Sequence, residues 1–221
     1  MTITETTVEA PGADPKGDGA RIELATVELL ALVSIRRNAA TDRARVLLSL
    51  PEDGLDSPVT AAGVGSLLVR RMAQVIEGRL APQGAVNEIA SILMDGEEWA
   101  EAIGTTGDAS NVAALVRSRT GTVLFEPRPY DVWHVWPMPQ DVPLPVIGSR
   151  LVAATFGNLP GGQSFAGSVR IISYDGTTRS AVVTVADDES WSVSSGLGGE
   201  ILVSARTYPD PTFQVLASSL A

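Results

Sequence analysis

The stretch from residue 165 to the C-terminus constrains this chain most, because it reads as four short strands followed by one closing helix. Val169 and Ile171 alternate with Arg170 and its polar neighbours. Ala181, Val183 and Val185 repeat the pattern, followed by Trp191 and Val193 between serines and then by Ile201, Val203 and Ala205. An apolar period of two is what a half-buried strand requires, since successive side chains point to opposite faces. Asp175-Gly176 predicts a two-residue turn between the first two runs, because both residue types tolerate positive φ, and Gly196, Gly198 and Gly199 do the same between the last two. After Pro209 and Pro211 the spacing becomes helical, with Phe213, Leu216 and Leu220 on one face. A meander of this kind has a face that needs a cover, so the rest of the chain must supply one.

Residues 1–20 are rich in Thr, Glu, Gly, Pro and Asp, and predict a disordered tail that cannot offset its own ordering entropy. Ile22 and Leu24 predict a short strand, and Thr26 a cap for a helix through Val33 that buries Leu29, Leu30 and Leu32. The compact apolar run 46–50, stopped by Pro51, predicts a buried strand with a turn at 51–54. Val64, Leu67, Leu68, Met72 and Val75 form a helical stripe over 60–75, weakened by Gly63 and Gly65. A link at 77–80 leads to Pro82, expected in the first turn of a further helix that buries Val86, Ile89, Ala90 and Leu93 and ends near Asp95-Gly96. These two helices are expected to lie as a pair across one sheet face.

A second run of strands is predicted at 98–103, 111–117, 122–126 and 131–136, separated by Gly104, Gly107, Gly121, Pro127 and Pro129. The proline-rich stretch 137–145 predicts an extended connector. Residues 146–156 suit either a short helix or a strand, with helix the assignment adopted. The expected fold class is therefore α+β: an antiparallel sheet built from two β-meanders and packed against helices. The similar length of the meanders suggests an internal pseudo-duplication. The expected organisation is one domain over 21–221 after the tail, with sub-halves 21–137 and 146–221 joined by the connector.

The absence of cysteine excludes a disulfide framework, a thiolate metal site and a thiol nucleophile, and fits a reducing compartment. A formal charge of −10 opposes a phosphate-binding surface, so nucleic acid is not expected as a partner. No apolar run approaches the roughly 20 residues needed to cross a bilayer, and the N-terminus lacks a secretory signal pattern. The expectation is a soluble, cytoplasmic protein with no membrane partner.

His134 is the single histidine, placed between Trp133 and Trp136 on a predicted strand, where it is expected to pack beside aromatics or face water. No Gly-x-Ser-x-Gly elbow accompanies it. The acidic pairs Asp53/Asp56 and Glu97/Glu98 and the run Asp187-Asp188-Glu189 sit at turns or element ends, where solvated charge is expected. Gly161-Gly162 and the glycines at 196–199 lack the Lys-Ser/Thr pair or helix start of a phosphate cradle. Trp99, Trp133, Trp136 and Trp191 fall on predicted strands as core residues. The alternative is a recognition surface formed by Met138 and the neighbouring aromatics. No catalytic residue, cofactor or metal is expected, and no partner-binding residue is assigned.

Three segments carry a family resemblance: Ile22-Glu23-Leu24-Ala25-Thr26-Val27-Glu28-Leu29-Leu30 at the start; Glu77-Gly78-Arg79-Leu80-Ala81-Pro82 running through a helix to Asp95-Gly96-Glu97-Glu98-Trp99; and Gly198-Gly199-Glu200-Ile201-Leu202-Val203 with Tyr208-Pro209-Asp210 before the terminal helix. In this order they resemble the EspG chaperones of actinobacterial type VII (ESX) secretion systems. The resemblance implies a non-catalytic cytosolic chaperone, monomer or homodimer when free, that binds helical-hairpin secretion substrates of PE/PPE-like type and keeps them soluble before export. The alternative carried by the meanders is a structural β-rich component of an assembly such as a phage tail or virion.

Overall fold

The computed structural model describes residues 21–52, 57–107, 109–158, 164–198, 200 and 203–221. In chain order these form β1 (Ile22–Ala25), α1 (Thr26–Ser34), α2 (Ala39–Leu47), α3 (Pro58–Val69), β2 (Ala73–Ile76), β3 (Arg79–Pro82), α4 (Gly84–Met94), β4 (Glu98–Thr106) and β5 (Ala109–Arg117). They continue with β6 (Thr122–Arg128), β7 (Val132–Met138), α5 (Leu144–Gly157), β8 (Phe165–Ser173), β9 (Thr178–Val185), β10 (Trp191–Leu197), β11 (Val203–Thr207) and α6 (Gln214–Ser218). The fold is α+β, as the strand and helix patterns predict.

Both meanders join a single antiparallel sheet. Among the described residues it has nine strands in the order β1-β7-β6-β5-β4-β8-β9-β10-β11, with a separate two-stranded sheet β2-β3. The seam is β4, which pairs with β5 from Glu98↔Arg117 to Thr106↔Ala109 and with β8 from Glu98↔Ser173 to Thr105↔Ala166. Alternation along β4 sends Trp99 into one core and Ala100 and Ala102 into another on the opposite face. Helices α1–α4 cover the first face over β1, β7, β6, β5 and β4, where Leu24, Val135, Phe125 and Val116 lie beneath them. Helices α5 and α6 cover the second face, over Val169, Ile171, Ala181 and Val183. Phe156, Phe165, Trp191 and Phe213 fill the space under α6 with edge-on and tilted ring contacts, centroids 5.2–5.6 Å apart. From α2, Arg43 stacks over the Trp99 ring at 5.2 Å and donates to the Ser173 carbonyl at 2.6 Å, tying a helix of the first half to the start of the β8–β9 turn.

Several local expectations need correction. Residues 46–50 are not a strand: 46 and 47 end α2, whose start is fixed by reciprocal bonds between Asn38 and Thr41, and Val46 points to solvent. The stripe over 60–75 breaks at Arg71, whose positive φ ends α3, and residues 73–76 become β2. Pro82 closes β3 rather than opening a helix, and α4 starts at Gly84. Thr26 does not cap α1; the Ala25 N–H is instead taken by the Glu28 carboxylate at 2.8 Å. The β8–β9 turn is one residue wider than expected, closed by Ser173 N–H on the Thr177 carbonyl with Gly176 at φ 91°. Residues 146–156 are helical as assigned, but the helix starts at Leu144 and β7 runs to Met138, so the connector expected over 137–145 is shorter; Phe213, Leu216 and Leu220 are all buried, yet only Leu216 lies within α6, Phe213 preceding it in left-handed backbone. Ile201, Gly199, the 1–20 tail, Asp53, Asp56, Gly161 and Gly162 lie outside the described residues.

Glycines 63 and 65, which weaken α3 on propensity alone, prove to be unlike each other. A Cβ on Gly63 would stand 1.8 Å from the Val27 carbonyl oxygen, because α3 crosses α1 there at backbone contact, whereas a Cβ on Gly65 meets nothing within 4 Å. Gly65→Ala is therefore expected to stabilise by up to about 1 kcal/mol through helix propensity. Gly63→Ala is expected to destabilise by about 2 kcal/mol or more, because the obstacle is backbone. Urea unfolding of both variants checks the opposite signs.

Candidate protein-binding surface

The two-stranded sheet stands apart from the main sheet. Glu77 and Gly78 both have positive φ, 50° and 76°, the backbone that a tight two-residue hairpin loop demands, and Ile76↔Arg79 closes it. Behind this tip Val75 pairs with Leu80 and Ala73 with Pro82. Val75 and Ile76 are 57% and 50% exposed, and Val69 at the end of α3 is 84% exposed. As successive strand residues Val75 and Ile76 point to opposite faces, so the hairpin exposes a branched apolar side chain on each face, the kind of surface that marks protein contacts. Arg71 and Arg79 are exposed in the same stretch, with the exposed Glu77 in the turn between the two strands.

The base of this hairpin is held firmly. Ala73 is buried, Met72 and Leu80 pack against the helical core, and the Gln83 N–H donates to the Met72 carbonyl at 2.8 Å. Arg70, just before β2, donates from Nη1 to Glu28 Oε2 at 2.6 Å and from Nη2 to the Glu23 carbonyl at 2.9 Å. The Glu28 carboxylate is fully buried and also accepts from Ser66 Oγ at 2.6 Å and from the Ala25 N–H. One carboxylate thus joins β1, α1 and the end of α3, from which the chain leads into β2. A buried charge is tolerated when its lone pairs are occupied in this way.

His134 lies elsewhere, in a row of charges across β1, β7 and β6, where Glu23, His134 and Glu126 are register partners. Its Nδ1 accepts from Arg128 Nε at 3.0 Å, its Nε2 is 3.5 Å from Glu23 Oε1, and its ring packs edge-on to Trp136 at 5.5 Å. Arg128 also bonds Glu126 at 2.8 Å, and Arg21 bonds Glu23 at 2.8 Å. Burial, then the positive charges of Arg128 and Arg21, hold the imidazole below its ordinary 6.5 against the pull of Glu23 and Glu126. With Nδ1 engaged by a guanidinium, the ring acts as a cross-strand clasp beside an aromatic, which is the packing expected of it.

The other sequence candidates are dispersed. Glu97 pairs with Arg119 at 2.6 Å and Glu98 with Arg117 at 3.8 Å. Asp188 turns the β9–β10 loop by accepting from the Ser190 N–H at 3.0 Å. Among the described residues no group of three or more His, Cys, Asp or Glu is placed to hold a metal ion, and no helix is long and apolar enough to cross a membrane. Trp99, Trp136 and Trp191 are buried, as expected of core residues, and the alternative of a recognition surface at Met138 does not hold: Met138 is buried in the core under α5, and Trp133 is half-buried with its Nε1 bonded to Thr26 Oγ1 at 2.9 Å. The hairpin was missed because residues 69–82 read as helix, link and helix start. The signal that reveals it is Glu-Gly flanked by Val75-Ile76 and Leu80.

No family model matches the chain, and no curated protein matches it. Among solved structures it is similar to the Mycobacterium tuberculosis type VII secretion system chaperone EspG5, determined in complex with the PE25-PPE41 dimer. The two chains share a fold. The match covers 91% of this chain and 94% of that one, with a TM-score of 0.54 and 12% sequence identity. The resemblance drawn from the three sequence segments thus extends, at the level of the fold, over nearly the whole length.

Two predictions follow from the charges. Arg70→Ala removes the cation from a buried carboxylate and is expected to destabilise by about 2–3 kcal/mol, less when Glu28 is already Gln; a double-mutant cycle in urea measures that coupling. For His134, the folded protein favours the neutral ring while the unfolded chain takes up its proton near 6.5, so the unfolded state binds more protons just below that pH. Stability should fall as pH drops from 7 towards 5, and His134→Gln should flatten that slope in thermal melts.

Proposed function

We propose that this chain is a non-catalytic, cytoplasmic chaperone that binds a helical secretion substrate of PE/PPE-like type and keeps it soluble before export. The observation that carries the reading is the exposed apolar hairpin β2-β3 on a rigid, charge-locked base, set in a fold shared with EspG5 over 91% of the chain. A chaperone for an amphipathic helical client needs an apolar contact that is accessible without unfolding its own core, and a hairpin exposing Val75 on one face and Ile76 on the other offers that. The EspG5 structure holds a PE25-PPE41 dimer, which supports a protein client of that class here.

Co-expression with two-chain helical substrates encoded nearby tests the reading. A soluble complex should co-elute on gel filtration with the wild-type chain. The pair Val75→Asp and Ile76→Asp should abolish it while leaving the circular dichroism spectrum and melting temperature of the free protein unchanged, because both side chains are exposed. If no substrate co-elutes with the wild type, the chaperone reading fails. If a complex forms and survives the aspartates, the hairpin is not its docking surface.

A further inference from the structure

Two half-buried arginines of this chain are satisfied very differently. Arg117 and Arg45 have side chains 20% and 21% exposed. Arg117 donates to Thr122 Oγ1 at 3.1 Å and to the Val142 carbonyl, and lies 3.8 Å from Glu98. Among the described residues Arg45 has one polar contact, a 3.4 Å approach to Glu52, whose side chain is 89% exposed. A guanidinium carries five N–H donors, and withdrawing them from water without partners is costly. Most of the donors of Arg45 are thus left unused by the protein itself.

Arg45 lines a cleft of about 80 Å³ where the end of α1 meets α2. Thr41 and Arg45, one helical turn apart, share the face of α2 that borders it. Ser34, the last residue of α1, lines the same cleft and is 5% exposed, and among the described residues its hydroxyl has no hydrogen-bond partner. The buried Thr41 hydroxyl, by contrast, is committed to the Arg36 and Asn38 carbonyls at 3.0 Å each. Buried polar groups are bonded in the great majority of cases, so two unused donors on one cleft point to a ligand that takes both.

We propose that this cleft binds a small monocarboxylate, held by the Arg45 guanidinium and the Ser34 hydroxyl. A carboxylate matches the planar guanidinium fork with two parallel N–H···O bonds. Glu52 already approaches Arg45 in this way, but from solvent and at a length that makes an exposed pair weak, so a ligand inside the cleft displaces it. Arg37, exposed and in no ion pair among the described residues, adds a second cation, while the exposed Asp42 and Glu52 add two anions. Solvent screens the exposed charges most and the half-buried Arg45 least, so the inner end of the cleft is positive. One negative charge suits that end, whereas a dianion brings a second charge that nothing there offsets. Pockets for drug-sized ligands begin at roughly 300 Å³, so this cleft admits the head of an acid and not a nucleotide or a lipid. It uses no residue of the β2-β3 hairpin and does not rest on the chaperone reading.

Acetate titrated into the isotope-labelled full chain, at an ionic strength held constant with chloride, tests the site by nuclear magnetic resonance. Saturable shifts are expected at the Ser34 amide and the Arg45 side-chain N–H, and sulfate should not reproduce them. Arg45→Gln and Ser34→Ala should each weaken acetate binding about tenfold, the size of a lost charge-assisted hydrogen bond. Glu52→Gln should tighten it, because the competing carboxylate is gone. Ser34→Ala should melt no lower than the wild type, since the hydroxyl it removes has no protein partner. N-acetyl-glycyl-glycine separates two sources of the same group: binding tighter than acetate assigns the carboxylate to a peptide end, and weaker binding assigns it to a free acid. The proposal is overturned if acetate acts as an adventitious ion only, with shifts that do not saturate or that spread to arginines remote from the cleft. It is equally overturned if sulfate binds as well as acetate or if Glu52→Gln weakens binding. Should Arg45→Gln fail to fold, Ser34→Ala and Glu52→Gln decide.

Discussion

The structure depends on β4 being a strand with two neighbours and two covered faces. Edge to edge it bonds β5 and β8, and so converts two meanders into one sheet. Face to face it divides its side chains, with Trp99 entering the core under α1–α4 and Ala100 and Ala102 entering the core under α5. The asymmetry of size matters. An indole fills the thicker helical layer, while small residues let α5 lie close, where Gly148 meets Val169 and Gly167 meets Val152 without a Cβ between them. Interiors are packed at crystal-like density, so these choices fix where each helical layer sits on the sheet.

From that frame the Glu28 carboxylate carries order outward to the surface. It terminates the entry to α1, bonds Ser66 on α3 and holds Arg70, the residue from which the chain swings into the hairpin. The hairpin exposes apolar side chains at its tip while its root is buried, so partner-accessible surface and rigid core are only a few residues apart. A contact presented on a pre-ordered base loses less entropy on binding than one on a free loop.

Much of this architecture was legible in residue patterns, and the failures have physical reasons. The strands β4–β10 are legible through alternation, because each has one face in a core and turn residues at its ends, whereas 146–156 suited helix or strand equally and its helix begins inside the proline-rich stretch, at Leu144. The run Val46-Leu47-Leu48 misled because three apolar residues in a row do not say which are buried. The Asn38–Thr41 cap just upstream was the stronger local signal, and Val46 faces water. Val75 looked like the next position of a helical stripe because the period alone cannot register the left-handed turn at Arg71. Nor can a sequence show that Gly63 is a crossing point and Gly65 is not, or that Glu28, a lone charge in an apolar run, is buried among three donors from β1 and the end of α3. Those are facts of tertiary contact between residues far apart in the chain.

The pairing of β1 with β7 gives that long range a temporal meaning. The Thr26 hydroxyl meets the Asp131 carbonyl across a separation of 105 residues. At ribosomal rates of roughly 5–20 residues per second, about 5 to 20 s pass between making the first partner and making the last. β4, β5 and β6 are made during that interval, but the strand that pairs with β1 comes last. The first edge of the sheet is therefore closed late in synthesis, by a strand made long after its partner.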